Sequence, residues 1–433
     1  MEVTTSAIRM KMRVLPCTRT FSASGDRAQA VPKRMSLKPF ILAEVFCVLL
    51  IFFIVMNAAR MNPETAEWWM RHISSGWERV IGTLTSFIPV SVFELLLCIV
   101  ILCGAFLFVR LVINLCRARF RAILVGLISV GIAAMYILDL YMFSMGFGYY
   151  RAKMPGYFAG DDYKAEQTVA VADYVLADYN ALAEKFKRDK NGCVVCPYSF
   201  RELARILRDE FSRLKNPYFF SYAPLAKPVT NSWFMSASLI TGVSFLPTGE
   251  ANVNISAPPT TITYTMAHEL AHAKGVMREG DANLISYYVL LSSKNDYLRY
   301  CGYYATFYDF VDCVWLVGDD ENYARLLSAV SPLSAKEHKF TYDYWMSQPD
   351  IIGEIGSFFN DWYLKSNGVE NGTGSYDDGN QSGTITPTDP DTDEPIIDPD
   401  TQKPIEIPVY SEVQKTYFYI YENMFGAPPV NQD

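Results

Sequence analysis

Several patterns that would place this chain in a common class are missing. No basic patch interleaved with aromatic residues occurs after the apolar N-terminal third, which argues against a nucleic-acid partner. Cys193-Val-Val-Cys196 has CxxC spacing, yet no second CxxC follows, so a four-thiolate zinc site is not supported. No small-residue cleavage site follows the first apolar run, so a cleaved signal peptide explains that run poorly. No internal repeat is evident. Charge is sparse, at 19% of residues, while 50% are hydrophobic and 14% aromatic. That balance fits a chain that is part membrane. The net charge of −8 hides an asymmetry: the first 38 residues hold eight Lys or Arg and two acids, and residues 370–400 are acid-rich.

Three apolar runs stand out, at 39–58, 87–109 and 122–145. Each reaches the ~20 residues needed to cross a ~30 Å hydrocarbon core. Lys33, Arg34 and Lys38 precede the first run, and Arg110, Arg117, Arg119 and Arg121 lie between the second and third. The bias of basic residues toward the cytoplasm makes residues 1–38 a basic cytoplasmic tail, 39–145 a three-helix transmembrane region, and everything after about 146 extracytoplasmic. The loop at 59–86 balances Arg60, Arg71 and Arg79 with Glu64, Glu67 and Glu78, and its Trp68, Trp69 and Trp77 suit a membrane interface. Glu44, Glu94 and Asp139 interrupt the runs. A buried acid in a span suggests transport, but all three lie toward the ends of their runs, where water is near.

Residues 146–366 read as one α-rich domain. Helical spacing covers 162–188, 199–214, 261–274 and 281–297, with further helices at 299–315, 320–329, 335–347 and 351–365. Residues 235–256 are β-branched and broken by Gly242, Pro247 and Gly249, and read as a strand or hairpin. The segment 367–408, rich in Gly, Ser, Thr, Asp and Pro, reads as a disordered linker. An aromatic segment, 409–433, follows, with TYFYIYENMF at 416–425 placed to dock back as a last helix. The expected fold is mainly α: three N-terminal transmembrane helices and an α-rich domain with a small β-sheet or hairpin. Of nine cysteines, Cys17, Cys47, Cys98, Cys103 and Cys116 read as small apolar residues or reduced thiols. Cys193, Cys196, Cys301 and Cys313 are either free or paired as disulfides, as an external domain permits.

Two of the four histidines fall in TMAHELAHAKG, with His268 and His272 four residues apart. On a helix both imidazoles project from one face. Zinc takes imidazole nitrogens at such a site and keeps one position open for water, from which Glu269 can take a proton. Gly275 suits a turn after this helix, and Arg278 cannot bind a metal. The third ligand is then Glu279, with Asp281 as the alternative. Asn283, one turn beyond Glu279, either hydrogen-bonds a ligating His from outside the metal's own ligand set or faces solvent. GEANVN at 249–254 is either a substrate-binding edge strand or an ordinary structural hairpin. An electrophile for a developing oxyanion could be His338, Tyr264 or Tyr342.

Three N-terminal spans, GEANVN, HELAHAKG, REGDAN and a later NDWYLKSNG…GSY together resemble the bacterial membrane-protein family known as domain of unknown function 3810, over most of residues 40–375. More distantly, the motifs resemble membrane gluzincins of the prenyl-protein and heat-shock peptidase kind. The resemblance implies a zincin-like domain with His268, His272 and Glu279 as zinc ligands and Glu269 as base. The expected function is a membrane-anchored zinc metallopeptidase acting on envelope proteins or peptides. The alternative is a non-catalytic zinc-binding sensor or scaffold, which would need the histidines but not Glu269. The long Pro/Asp segment after 375 departs from the family pattern, and nothing in the sequence fixes an oligomeric state.

Overall fold

A computed structural model describes residues 37–152, 154, 165–316 and 319–376, with short pieces between 383 and 418. The basic tail up to residue 36 and the stretch 419–433 lie outside the described residues.

Helix α1 spans Lys38–Ala59. The expected interfacial loop that follows is helical instead: α2 (Pro63–Trp69) leads through a single wide turn, Met70–Ser74, into α3 (Ser75–Ser86). Asn62 starts α2 by accepting a hydrogen bond from Thr65 N, and Pro63 fits the first helical turn, where no N–H is needed. Trp69 Nε1 donates to Phe143 O at 2.9 Å and Trp77 Nε1 to Leu246 O at 3.1 Å. These two tryptophans therefore bind protein carbonyls, and only Trp68 is exposed.

Helix α4 spans Val92–Cys116. It begins five residues later than the apolar run because Ser91 caps it, its Oγ accepting from Glu94 N at 3.0 Å. Helix α5, Phe120–Tyr141, continues into a wide turn at Met142–Gly146. Among the described residues three helical stretches, Lys38–Ala59, Val92–Cys116 and Phe120–Gly146, are long and apolar enough to cross a membrane. Helix α5 packs against both of the others.

Glu94 does not suit a transport pathway. Its carboxylate accepts from Thr230 N at 2.9 Å and Asn231 N at 2.7 Å, fastening the start of α4 to the later domain. Glu250 accepts from Val92 N at 3.1 Å and Phe93 N at 2.8 Å and pairs with Lys227, so the same helix end is held twice.

The later domain contains α6 (Ala165–Ala183), α7 (Phe200–Phe211), α8 (Ser232–Ala237), α9 (Pro259–Ala273), α10 (Glu279–Leu291), α11 (Asp296–Leu316), α12 (Asp320–Ser328), α13 (Pro332–Met346) and α14 (Asp350–Ser366). Buried side chains of α6, α7, α9, α10 and α11 form the main core. The chain is thus mainly helical, as its spacing predicts. The expected hairpin exists as β2 (Gly242–Phe245) against β3 (Glu250–Asn254), with β1 (Lys227–Val229) added parallel to β3. Strand β3 is the middle strand of three and is buried throughout, so GEANVN cannot be the substrate-binding edge. Its main-chain groups are spent on two neighbours.

Residues 367–376 depart from the linker expectation. Asn367 and Ser375 are buried, and Gly372–Tyr376 forms a tight helical turn against α14 and α10. Composition misleads here because these residues are held by side chains elsewhere: Asn367 Oδ1 accepts from Arg60 Nη1 and Tyr141 OH, and Asn283 Nδ2 donates to Tyr376 O. Further along, 383–385 pairs with 407–409 as a two-stranded ribbon. The docking of the C-terminal segment occurs at 413–418, where Val413, Tyr417 and Phe418 are buried in the main core. Tyr417 hydrogen-bonds Thr306, and Gln414 Nε2 donates to Thr168 Oγ1 at 2.9 Å. Cys193, Cys196 and Cys301 are free thiols, and Cys313 Sγ donates to Asp309 O at 3.2 Å.

Candidate metal centre

Helix α9 presents His268 and His272 on one face, and their rings stand nearly perpendicular, 4.6 Å between centroids. The helix ends at Lys274, and Gly275 then adopts φ +89°, a left-handed conformation open to glycine. The Phe220 ring fills the place where a side chain would stand, with Cε1 2.6 Å from that point. This turn brings Glu279, the first residue of α10, back over the histidines.

Glu279 Oε2 lies 3.2 Å from His268 Nε2 and 3.3 Å from His272 Nε2, and the two Nε2 atoms are 3.0 Å apart. Around tetrahedral zinc, ligand bonds of about 2.0–2.2 Å place neighbouring ligand atoms roughly 3.3–3.6 Å apart. The three buried donors stand at nearly that spacing, and two imidazoles with one carboxylate are a donor set that zinc accepts. His272 Nδ1 faces Val276 O at 2.6 Å. A carbonyl can only accept, so Nδ1 carries a proton, and the metal-facing Nε2 is left to donate a lone pair. Among the described residues this is the one group of three or more such side chains that could hold a metal, and it contains Glu279, not Asp281. Asp281 bears electrostatically on Tyr218 instead.

Glu269 is buried beside the cluster. Burial raises its pKa, although His268 and His272 oppose the rise. One hydrogen bond reaches it from the Ser244 main chain on β2, while Oε2 is buried without a protein partner. Gly242 on the same strand gives it room, since a Cβ there would stand 2.5 Å from Glu269 Oε1. The strand beside Glu269 is therefore β2, an edge strand of the sheet among the described residues.

Asn283 neither touches a ligating histidine nor faces solvent. Its Oδ1 accepts from Tyr264 OH at 2.6 Å, and its Nδ2 donates to Tyr376 O at 2.8 Å. The expected electrophiles are all displaced. Tyr264 is committed to Asn283, and Tyr342 is exposed. His338 stacks on Tyr304 at 3.9 Å and hydrogen-bonds Tyr179. Burial pushes the His338 pKa down to about 4, so it is a neutral core residue.

The phenol that does reach the site is Tyr376. Its ring lies 6.3 Å from that of His268, its hydroxyl interacts with Glu279, and Asn360 Nδ2 donates to the hydroxyl at 3.4 Å. Burial, reinforced by the charge of Glu279, raises its pKa, so it remains a proton donor. The GSY of the family resemblance ends on this residue, but nothing in the local pattern links it to a helix a hundred residues earlier. Tyr149 and Tyr363 line the same wall, their hydroxyls 3.3 Å apart, and both are held protonated by burial.

A family profile described as Protein of unknown function (DUF3810) matches residues 69–379. Neither a curated protein nor a solved structure matches the chain.

Proposed function

The chain belongs to the DUF3810 family, and from its site we propose that it is a membrane-anchored zinc metallopeptidase. The observation that carries this reading is the convergence of His268 Nε2, His272 Nε2 and Glu279 Oε2 at 3.0–3.3 Å, with the Glu269 carboxylate alongside. Zinc held by these three residues would supply Lewis acidity, polarising a carbonyl and acidifying water.

Glu269 is the general base and then the acid. Its raised pKa suits a group that must both take and return a proton near neutral pH. The Ser244 N–H fixes one end of its carboxylate and leaves the buried Oε2, without a partner among the described residues, for the reacting water. Tyr376, protonated and beside Glu279, is the hydrogen-bond donor for an oxyanion. The free edge of β2 lies beside Glu269 and would take an extended peptide by main-chain hydrogen bonds. A carboxylate held in this way is not needed by a scaffold, which favours the enzyme over a non-catalytic zinc protein.

Orientation belongs to the same proposal. The basic residues before α1 and between α4 and α5 put the opposite ends of the spans, and the site with them, on the extracytoplasmic side. Substrates are then proteins or peptides of the envelope.

The test has two parts. The purified chain should carry about one zinc, on the three-ligand argument, and His268→Ala should lose it. Glu269→Gln should keep the metal and lose peptide hydrolysis, with new N-termini in the wild-type envelope proteome absent from the variant. Zinc retained in His268→Ala, or turnover by Glu269→Gln, would refute the assignment.

A further inference from the structure

Helix α14 carries an apolar face that no part of the described protein covers. Ile351, Ile355, Phe358, Phe359 and Trp362 are between 53% and 74% exposed. At 3.6 residues per turn the five fall within an arc of roughly 100°. The opposite face packs on the protein: Gly353 lies against Leu239, Gly356 against Ser238, and Leu364 is fully buried. The exposed stripe is thus not a disordered core. Trp233, Phe234 and Leu239, from α8 and the turn after it, are also exposed, and Leu239 lies against Gly353 of α14.

Helices α14 and α8 are each fastened to the ends of the apolar helices. At the end of α14, Asn367 Oδ1 accepts from Arg60 Nη1 at 3.1 Å and from Tyr141 OH at 2.7 Å. Arg60 follows α1 and Tyr141 ends α5. Next to α8, Thr230 and Asn231 donate to Glu94 in the first turn of α4. The end of α1, the start of α4 and the end of α5 emerge on the same side of a bilayer by chain alternation.

We propose that α14 and α8 lie in the membrane surface at that side, with Ile351, Ile355, Phe358, Phe359, Trp362, Trp233 and Phe234 inserted among the lipid acyl chains. Aromatic and aliphatic side chains on one face of a helix parallel to the surface are the pattern of interfacial helices. The charged flanks of α14 are Glu354, Asp361 and Lys365, and Asp361 pairs with Lys365 at 2.8 Å. With Lys365 paired to Asp361, this flank carries no net positive charge to read anionic headgroups, so the occupant is the apolar layer of any fluid bilayer, zwitterionic lipid included.

The inner face of the same helix touches the metal centre, through Asn360 and the Tyr376 hydroxyl. The site therefore lies about one helix diameter, roughly 10–12 Å, from the lipid. If the peptidase reading above holds, on which this step alone rests, the substrates are polypeptide segments next to their own membrane anchors.

The test uses the full chain in vesicles of zwitterionic phosphatidylcholine brominated on its acyl chains, and reads tryptophan emission. Bromine quenches indoles within contact distance. The chain has seven tryptophans, and Trp233→Phe/Trp362→Phe removes two. The emission lost in the double variant should come from the bromine-quenched fraction, leaving the unquenched remainder unchanged. Loss from the unquenched fraction would overturn the proposal. Shielding of both residues together with cross-linking between copies would also overturn it, in favour of a second chain covering the face. The readout needs neither zinc nor turnover, so it stands apart from the peptidase test.

Discussion

Asn283 Nδ2 donates to the main-chain carbonyl of Tyr376 across 2.8 Å, joining two residues 93 positions apart. That bond holds the turn that carries the Tyr376 phenol against Glu279. Tyr376→Phe should retain zinc and lower kcat by about 10²–10³-fold, the effect of removing one oxyanion donor. Asn283→Ala should also keep its metal, lower kcat, and destabilise by about 1–3 kcal/mol, because Tyr264 OH and Tyr376 O lose their partner. Steady-state kinetics with metal analysis checks both, and thermal unfolding separates the two. Unchanged kcat in Tyr376→Phe would remove the phenol from the mechanism.

Zinc affinity should rise with pH. Burial alone would lower the His272 pKa, but Glu279 beside it prevails and lifts it to about 9. Burial would likewise raise Glu279, and His272 outweighs it, holding the carboxyl at about 2. The raised His272 pKa stabilises the metal-free fold fully below 6.5, and this is lost as pH rises through 9. The lowered Glu279 pKa stabilises above 4.5 and is lost as pH falls through 2. Metal-free protein should therefore be most stable between 4.5 and 6.5 as far as this pair is concerned. Zinc must displace the His272 proton, so binding at pH 7 releases protons and tightens toward pH 9. Calorimetry in buffers of different ionisation enthalpy measures that release, and Glu279→Gln should abolish the proton linkage at pH 7.

Gly242→Val should separate catalysis from metal binding. Its Cβ would meet Glu269 Oε1 at 2.5 Å, on a strand whose main chain also holds Glu269. Glu269 must move, so hydrolysis should fall at least tenfold, about 1.4 kcal/mol in the barrier, with zinc content unchanged. A variant with normal turnover would show that Glu269 is not held by β2.

Arg151 ties the membrane-side helices to the turn after α9. Its buried guanidinium donates to Glu67 at 2.7 and 2.9 Å, to Gly275 O at 2.9 Å and to Tyr218 O at 2.9 Å. Glu67→Ala leaves that cation without its counter-charge. Discounted for the partial exposure of Glu67, the loss should be about 2–3 kcal/mol. Arg151→Met should in addition weaken zinc binding, because the Gly275 turn that returns Glu279 to the histidines loses its tether. Thermal unfolding of the full chain in detergent, with and without zinc, checks both.

What could be read from the sequence was whatever depends on near neighbours. The His268/His272 pair, the Gly275 turn and Glu279 span twelve residues, and helical period with one left-handed glycine is enough to fold them together. The apolar runs are equally local. Tyr376 was missed because its place depends on α14 folding back and on Asn283 reaching across to it. GEANVN reads as a substrate edge or a structural hairpin, and the hairpin with β2 is what forms; the pattern of one strand does not say how many neighbours it has, and β1 at Lys227–Val229 takes the other side. His338 drew attention as a scarce residue type, yet an imidazole stacked on Tyr304 fills a core as readily as a phenyl ring does.

The junction between the apolar helices and the later domain has one more implication. Met56, Ala66, Met70, Met142, Met145 and Phe147 share a buried cluster with Phe220, Leu246, Met277 and Leu364. Most of that cluster is contributed by the membrane-side segments, and Met277 sits two residues before Glu279. The anchor is therefore not a portable leash that could be swapped for an unrelated one. Grafting the later domain onto a foreign transmembrane helix would strip away the floor on which the Glu279 turn rests, and insertion into the bilayer becomes a step in the maturation of the site itself.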